Sequence, residues 1–229
     1  MREWAQMGAR EGLMLVAREQ TAGRGRLDHS WESMRGGLYL SVLLRPAMSL
    51  AQAQQLTMLV SLAAMDACWQ VAGVRPRAKW PNDLLLGRQK LAGVLTELES
   101  DGAALRYAII GLGLNVNNDF SGTALAKTAI SLQQATRRSH DIAVLSKAFA
   151  QALAQRYADL AAGVSPHYAW ARGLEPLGRQ VTVRRASQPT LHGRAESVSS
   201  QGALLVRDAA GGLHTIWAGD VQIDWEQKG

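Results

Sequence analysis

Residues 90–99 read KLAGVLTELE and residues 104–114 read ALRYAIIGLGL, with Ser100-Asp101-Gly102 between them. Two long apolar runs joined by a short polar turn containing Gly predict a β-hairpin, and the near-continuous hydrophobicity places it inside a sheet. Gly111-Leu112-Gly113-Leu114-Asn115 looks like a dinucleotide fingerprint, but its third glycine is missing and no helical pattern follows. The chain also has no GxxxxGK[ST] string.

Outward from the hairpin, KWPNDLLL (79–86) predicts two extended pieces around a Pro81-Asn82-Asp83 turn. LMLVAR (13–18) predicts a short buried strand, and LYLSVLLR (38–45) a second strand ended by Pro46. Ser49 and Gln52 form a capping-box pattern ahead of a helix. Leu56, Leu59, Val60, Ala63, Ala64, Ala67 and Val71 give its apolar face, and Gly73 its stop. A second amphipathic helix is predicted from Asp141 to Ala162, with Ile142, Leu145, Phe149, Leu153, Tyr157 and Leu160 on one stripe. From Arg179 onward the texture changes to short strands and Gly, Ser and Asp turns, the pattern of a small β-barrel. The expected fold class is α+β: a mixed β-sheet packed by helices over residues 1–175, then a small barrel over 176–229.

The chain has 229 residues, 47% of them hydrophobic, enough to bury a core without disulfides. Its single cysteine, Cys68, lies in an alanine-rich stretch and reads as a buried core residue in a reducing compartment. No apolar run approaches a membrane span and Met1-Arg2-Glu3 opens no signal peptide, so a cytoplasmic protein without membrane association is expected. The net charge of +6 favours acidic partners such as nucleotides or an acidic protein surface. The five histidines show no ligand spacing, so no protein metal site is read from them.

Residues 19–26 read EQTAGRGR. The glycines Gly23 and Gly25 let backbone approach a ligand, while Arg24 and Arg26 add guanidinium forks that match phosphate or carboxylate oxygens. Lys79-Trp80-Pro81-Asn82-Asp83 places a cation and a carboxylate around a rigid turn, and Lys90 opens its strand three residues before Gly93, so its ammonium can reach a site while the backbone stays clear.

Together, EQTAGRGR, GGLYLSVLLRP, KWPNDLLL, KLAGVLTE and GLGLNVN, in this order and spacing, closely resemble the catalytic domain of biotin protein ligases, and the C-terminal β segment resembles their SH3-like domain. The resemblance implies ATP-dependent, AMP-forming activation of biotin to biotinyl-5′-AMP. The biotinyl group then passes to one lysine of a biotin carboxyl carrier domain of a carboxylase. It assigns Gln20, Gly23, Arg24, Gly25 and Arg26 to biotin and its adenylate. Lys90 is assigned to the biotin carboxylate and the α-phosphate, with Lys90 and Arg26 catalytic. Gly93, Gly111 and Asn115 are implied to line the pocket, Trp31 to stack on adenine, and Lys79, Asn82 and Asn115 to serve the ATP side. Mg²⁺ is implied as the clamp on the phosphates.

Regulatory members carry an N-terminal helix-turn-helix domain that these residues do not match, so no DNA binding is expected. Homodimerisation through the main sheet stays open. Family catalytic domains begin with a strand ending in Ser-Thr-Asn, whereas Met1 to Ala9 reads as the tail of the helix that follows it; that strand is expected to be missing. The open alternatives are a truncated inactive paralogue, a lipoate or octanoate ligase of the same fold, and a nucleic-acid-binding module. Aromatics at 6% without basic interleaving count against the last.

Overall fold

The computed structural model describes residues 1–26, 29–186 and 188–226. In chain order, the first part contains helix α1 (Arg2–Gln6), strands β1 (Met14–Ala17) and β2 (Leu38–Leu44), helix α2 (Gln54–Ala72), and strands β3 (Arg77–Lys79), β4 (Asp83–Leu86), β5 (Gln89–Asp101) and β6 (Ala104–Leu114). Helices α3 (Leu132–Thr136), α4 (Ile142–Ala161) and α5 (His167–Gly173) follow. The last part contains strands β7 (Gln180–Arg184), β8 (Leu191–Val198), β9 (Leu204–Arg207), β10 (Leu213–Ile216) and β11 (Asp220–Ile223).

The first six strands form one sheet in the order β1-β2-β6-β5-β4-β3. Every neighbouring pair in it is antiparallel. The parallel element of the expected mixed sheet is confined to isolated bridges, Ala78 to Leu174 and Lys90 to Ala129. The hairpin that opened the reading forms as β5–β6 and supplies the centre of the sheet. Six of the seven residues of β2 are buried, because helices cover one face and the α1 region covers part of the other. The expected burial of β1 is overturned: it is an edge strand, and Val16 is 54% exposed.

Helix α2 lies directly on the sheet, against β4, β5 and β6, with α4 and α5 packed on its outer side. Being sandwiched, it buries residues nearly all round, from Leu56 through Ala64 without a break. The capping box at Ser49 and Gln52 forms, but it heads a 3-10 turn over Leu50–Gln52, and α2 starts only at Gln54. That turn is tied to the tip of the β5–β6 hairpin, since Leu50 N–H donates to Ala103 O at 2.9 Å and Leu105 N–H to Met48 O at 3.1 Å. Asp141, where the helix was expected to begin, caps α4 by accepting from the N–H groups of Ala143 and Val144.

The last five strands pair antiparallel in the order β10-β9-β8-β7-β11. Only residues 217–219 separate β10 from β11, which sit at opposite ends of this order. A flat sheet would put those ends about 19 Å apart. Four chain steps reach only about 14 Å. The sheet must therefore curl, which makes it SH3-like in form, although no pairing closes it between β10 and β11 among the described residues. It is fastened to the first sheet by specific bonds. The indole Nε1–H of fully buried Trp80 donates to Gly202 O at 2.9 Å. The segment leading into it is anchored as well: the guanidinium of Arg77 on β3 reaches Glu175, Arg172 O and Leu174 O, at the end of α5 and just beyond, each at 3.1 Å. No helix among the described residues is long and apolar enough to cross a membrane.

Candidate active site

A cavity of about 500 Å³ lies on the hairpin face that α2 leaves free, roofed by the loop after β1. The strand period of 2 builds its floor. Gly93, Leu95 and Glu97 of β5 share one face, and Gly113, Gly111 and Ile109 stand opposite them in register on β6. Glycines here make a trough rather than a packed surface.

The loop is shaped by its own hydrogen bonds. Ser33 Oγ donates to Gln20 Oε1 at 2.7 Å, Trp31 N–H to Gly23 O at 2.9 Å, and Gly25 N–H to His29 O at 2.7 Å. Closed in this way, the loop lays the Trp31 ring on the glycine trough. A Cβ at Gly113 would fall 2.5 Å from Trp31 Cε2, and one at Gly93 would fall 3.0 Å from its Cζ3. The buried Trp31 Nε1 has no hydrogen-bond partner among the described residues. A desolvated donor left unpaired costs about 1–3 kcal/mol, so an acceptor on a bound ligand is a favourable partner for it.

Cations line the same cavity. Lys90 Nζ stands 2.7 Å from Asp83 Oδ1 and 5.1 Å from the centre of the Trp31 ring. The two loop arginines are set to different tasks. Arg24 ion-pairs with Glu97 at 3.1 Å, where Arg2 joins it from α1 at 2.9 Å. Arg26 turns instead to the KWPND turn, donating to Asn82 Oδ1 at 3.5 Å. Burial lowers the Arg26 pKa, while the carboxylates of Asp83 and Asp220 act in the opposite direction. Such a partly desolvated guanidinium gains more from an incoming anion than a fully hydrated one does.

Of the residues singled out in the sequence, Gln20, Arg24, Gly25, Arg26, Trp31, Lys79, Asn82, Lys90, Gly93 and Gly111 line this cavity together. Two do not. Gly23 sits where a Cβ would collide with Trp31 O and Ser33 Oγ, so it serves the folding of the loop. Asn115 is buried off the cavity wall, its Nδ2 donating to Lys90 O at 3.3 Å and Ile130 O at 3.1 Å. It secures the strand end that carries Lys90. Several lining residues were not singled out: Ser41, Leu95, Glu97, Ile109, Gly113, Gly219 and Asp220. Counting by twos from Gly93 would have found Leu95 and Glu97. Nothing local marks Gly219 and Asp220, which arrive from the second sheet.

Residues 2–115 match the Biotin/lipoate A/B protein ligase family, and residues 177–224 match the Biotin protein ligase C terminal domain. Over 227 residues the chain is 34% identical to the bifunctional ligase/repressor BirA of Bacillus subtilis, a match covering 96% of this chain and 69% of that one. The chain belongs to the biotin protein ligase family. It is also 32% identical over 204 residues to the biotin–[acetyl-CoA-carboxylase] ligase of Paracoccus denitrificans, covering 86% of this chain and 85% of that one. Among solved structures, the biotin protein ligase from Aquifex aeolicus in complex with biotin and ATP aligns with a TM-score of 0.82 at 25% identity, covering 97% of this chain and 93% of that one. Biotin protein ligases are enzymes, and this chain is a ligase by that membership.

Proposed function

We propose that this biotin protein ligase condenses biotin with ATP to biotinyl-5′-AMP in the Trp31–Lys90 cavity and passes the biotinyl group to a lysine of a biotin carboxyl carrier domain. The observation that carries this reading is the convergence of Lys90, Arg26 and the Gly93/Gly113 trough in one cavity. In the first step a carboxylate oxygen of biotin attacks the α-phosphorus and the bond to pyrophosphate breaks. Two anions must meet, so their repulsion has to be offset by fixed cations. Lys90, held by Asp83, reaches both reacting groups, and Arg26 faces the phosphate side. In the second step a neutral lysine amine of the carrier attacks the acyl carbon, and AMP leaves. The mixed anhydride must be shielded from water between the steps, which suits a cavity roofed by the 19–33 loop.

Trp31 is read as the adenine-stacking ring, with Lys79 and Asn82 on the nucleotide side and Gln20, Arg24, Gly25 and Gly111 toward biotin. Among the described residues no group of three His, Cys, Asp or Glu can hold a metal ion. Mg²⁺ fits as an ion carried in by the ATP phosphates, with Asp83 and Asp220 the carboxylates nearest that end of the cavity; bound there, it would neutralise phosphate charge. The functional division is placed at residue 175/176, with the second part acting as a wall of the site. Cytoplasmic location and self-association belong to this proposal as well.

The test incubates the chain with Mg²⁺, ATP labelled on the α-phosphate, and biotin, lipoate or octanoate in parallel. Labelled biotinyl-adenylate with biotin alone is the expected result. Product with lipoate or octanoate instead would move the activity to the sister ligases, and no product with any acid would support the inactive-paralogue alternative.

A further inference from the structure

Strand β1 leaves one side of the main sheet unpaired: it is the edge strand and pairs only with β2. Leu43 N–H donates to Leu13 O at 3.0 Å, so antiparallel alternation turns the backbone groups of Leu15 and Ala17 toward β2 as well. Those of Met14 and Val16 point outward, and among the described residues nothing outside the sheet bonds to them. The side chains of the same two residues face the helices. Met14 packs on the main core, whereas Val16 is exposed. Beside Val16 runs a groove of about 700 Å³, walled by the first turns of α4. Ile142, Ser146 and Ala150 recur every four residues and so present one ridge to it, and the small Ser146 and Ala150 leave room for incoming side chains. The groove shares no lining residue with the cavity and lies on the opposite face of the sheet.

The charge around this groove has one sign. Arg18, Arg35 and Lys147 line it, and among the described residues no carboxylate does. The acidic neighbours are already committed: Glu19 pairs with Arg35 at 3.1 Å, and Asp141 caps α4. Arg18 and Lys147 have no ion-pair partner among the described residues. We propose that the groove is a docking site for an extended, acidic segment of another protein, which adds to β1 as a further antiparallel strand. Only an extended chain satisfies the outward N–H and C=O groups of Met14 and Val16; its alternate apolar side chains enter the groove beside Val16, and its carboxylates meet Arg18 and Lys147. Arg18 follows the C-terminal end of β1, so in an antiparallel guest the acidic residues precede the apolar ones. A second copy of this chain is a poorer occupant, because residues 14–18, MLVAR, bring a further arginine and no carboxylate to the same cations.

The experiment titrates the full chain into a fluorophore-labelled peptide, acetyl-Glu-Asp-Val-Thr-Val-Thr-Gly-amide, and reads fluorescence anisotropy, which needs no ligase activity. Saturable binding that weakens as salt is raised is the expected result. A second peptide with Lys-Lys in place of Glu-Asp should bind more weakly. Val16→Pro removes an outward N–H while sparing the bonds to β2, a change that edge positions accept, and should weaken binding about tenfold. Lys147→Glu, on the exposed face of α4, should weaken it about fivefold. No saturable binding, a preference for the lysine peptide, or unchanged affinity in folded Val16→Pro overturns the proposal. Where Val16→Pro does not fold, Lys147→Glu decides alone, and unchanged affinity there overturns it. Sedimentation of the wild-type chain as a dimer that Val16→Pro dissociates would assign the edge to a second copy and overturn the proposal as well.

Discussion

Lys90 Nζ lies 2.7 Å from Asp83 Oδ1, and the two side chains come from opposite arms of the β4–β5 pair. The pair is part-exposed, so its contribution to stability is small, on the order of 0–1 kcal/mol. Its consequence is positional: the ammonium is held at the end of the glycine trough, where a carboxylate and an α-phosphate would meet. Lys90→Ala should therefore lower adenylate formation by about 10²–10³-fold, the usual loss for one preorganised charge stabiliser. Thermal denaturation of the variant should stay close to wild type. Near-normal adenylate formation would remove Lys90 from the chemistry.

The Trp31 ring rests on Gly93 and Gly113 because neither carries a side chain. Gly113→Ala places a methyl 2.5 Å from Cε2 of that ring, so the ring must lift. The emission of Trp31, isolated as the difference from Trp31→Phe, should shift to longer wavelength in Gly113→Ala. The KM for ATP should rise about tenfold, matching the loss of roughly one aromatic stack. An unshifted spectrum with an unchanged KM would mean that the ring does not lie on the trough in solution.

Trp80 is the bolt between the two sheets. Trp80→Phe removes the donor to Gly202 O, leaving a desolvated carbonyl and a cavity beside the smaller ring. The expected loss is about 1–3 kcal/mol in urea denaturation, together with weaker ATP binding, because Gly219 and Asp220 reach the cavity wall from the far side of that joint. A loss of stability with nucleotide binding intact would show that the bolt serves the fold alone.

Cys68 is fully buried, and burial pushes its thiol up to about 12 from an ordinary value of 9.0. Because the folded value is the raised one, the associated stabilisation is fully present below about pH 9 and is lost as pH climbs toward 12. Cys68→Ala should reduce the fall in stability over that window relative to wild type, measured by urea midpoints at pH 8 and pH 10. At pH 8 the native thiol should also resist a disulfide reagent that modifies it rapidly in guanidinium. Rapid modification of native protein would contradict the burial.

What the sequence by itself determined is what local physics controls. The β5–β6 hairpin, the two long helices with their Gly73 and Asp141 ends, and the turn at Pro81 all follow from periodicity, capping and turn chemistry within a few residues. The cavity cations were legible too, because Arg26 and Lys90 stand in strings whose order carries a family resemblance. Tertiary structure decided the rest. LMLVAR is apolar enough for a central strand, yet β1 lies at the edge, since strand order depends on long-range pairing that no local pattern encodes. GRGR offers two equivalent arginines, and only the fold ties Arg24 to Glu97 while turning Arg26 toward Asn82. Asn115 looked like a ligand residue until burial committed its amide to Lys90 O and Ile130 O. Asp220 had no local signal at all, because its place on the cavity wall depends on how the second sheet curls and where Trp80 fastens it.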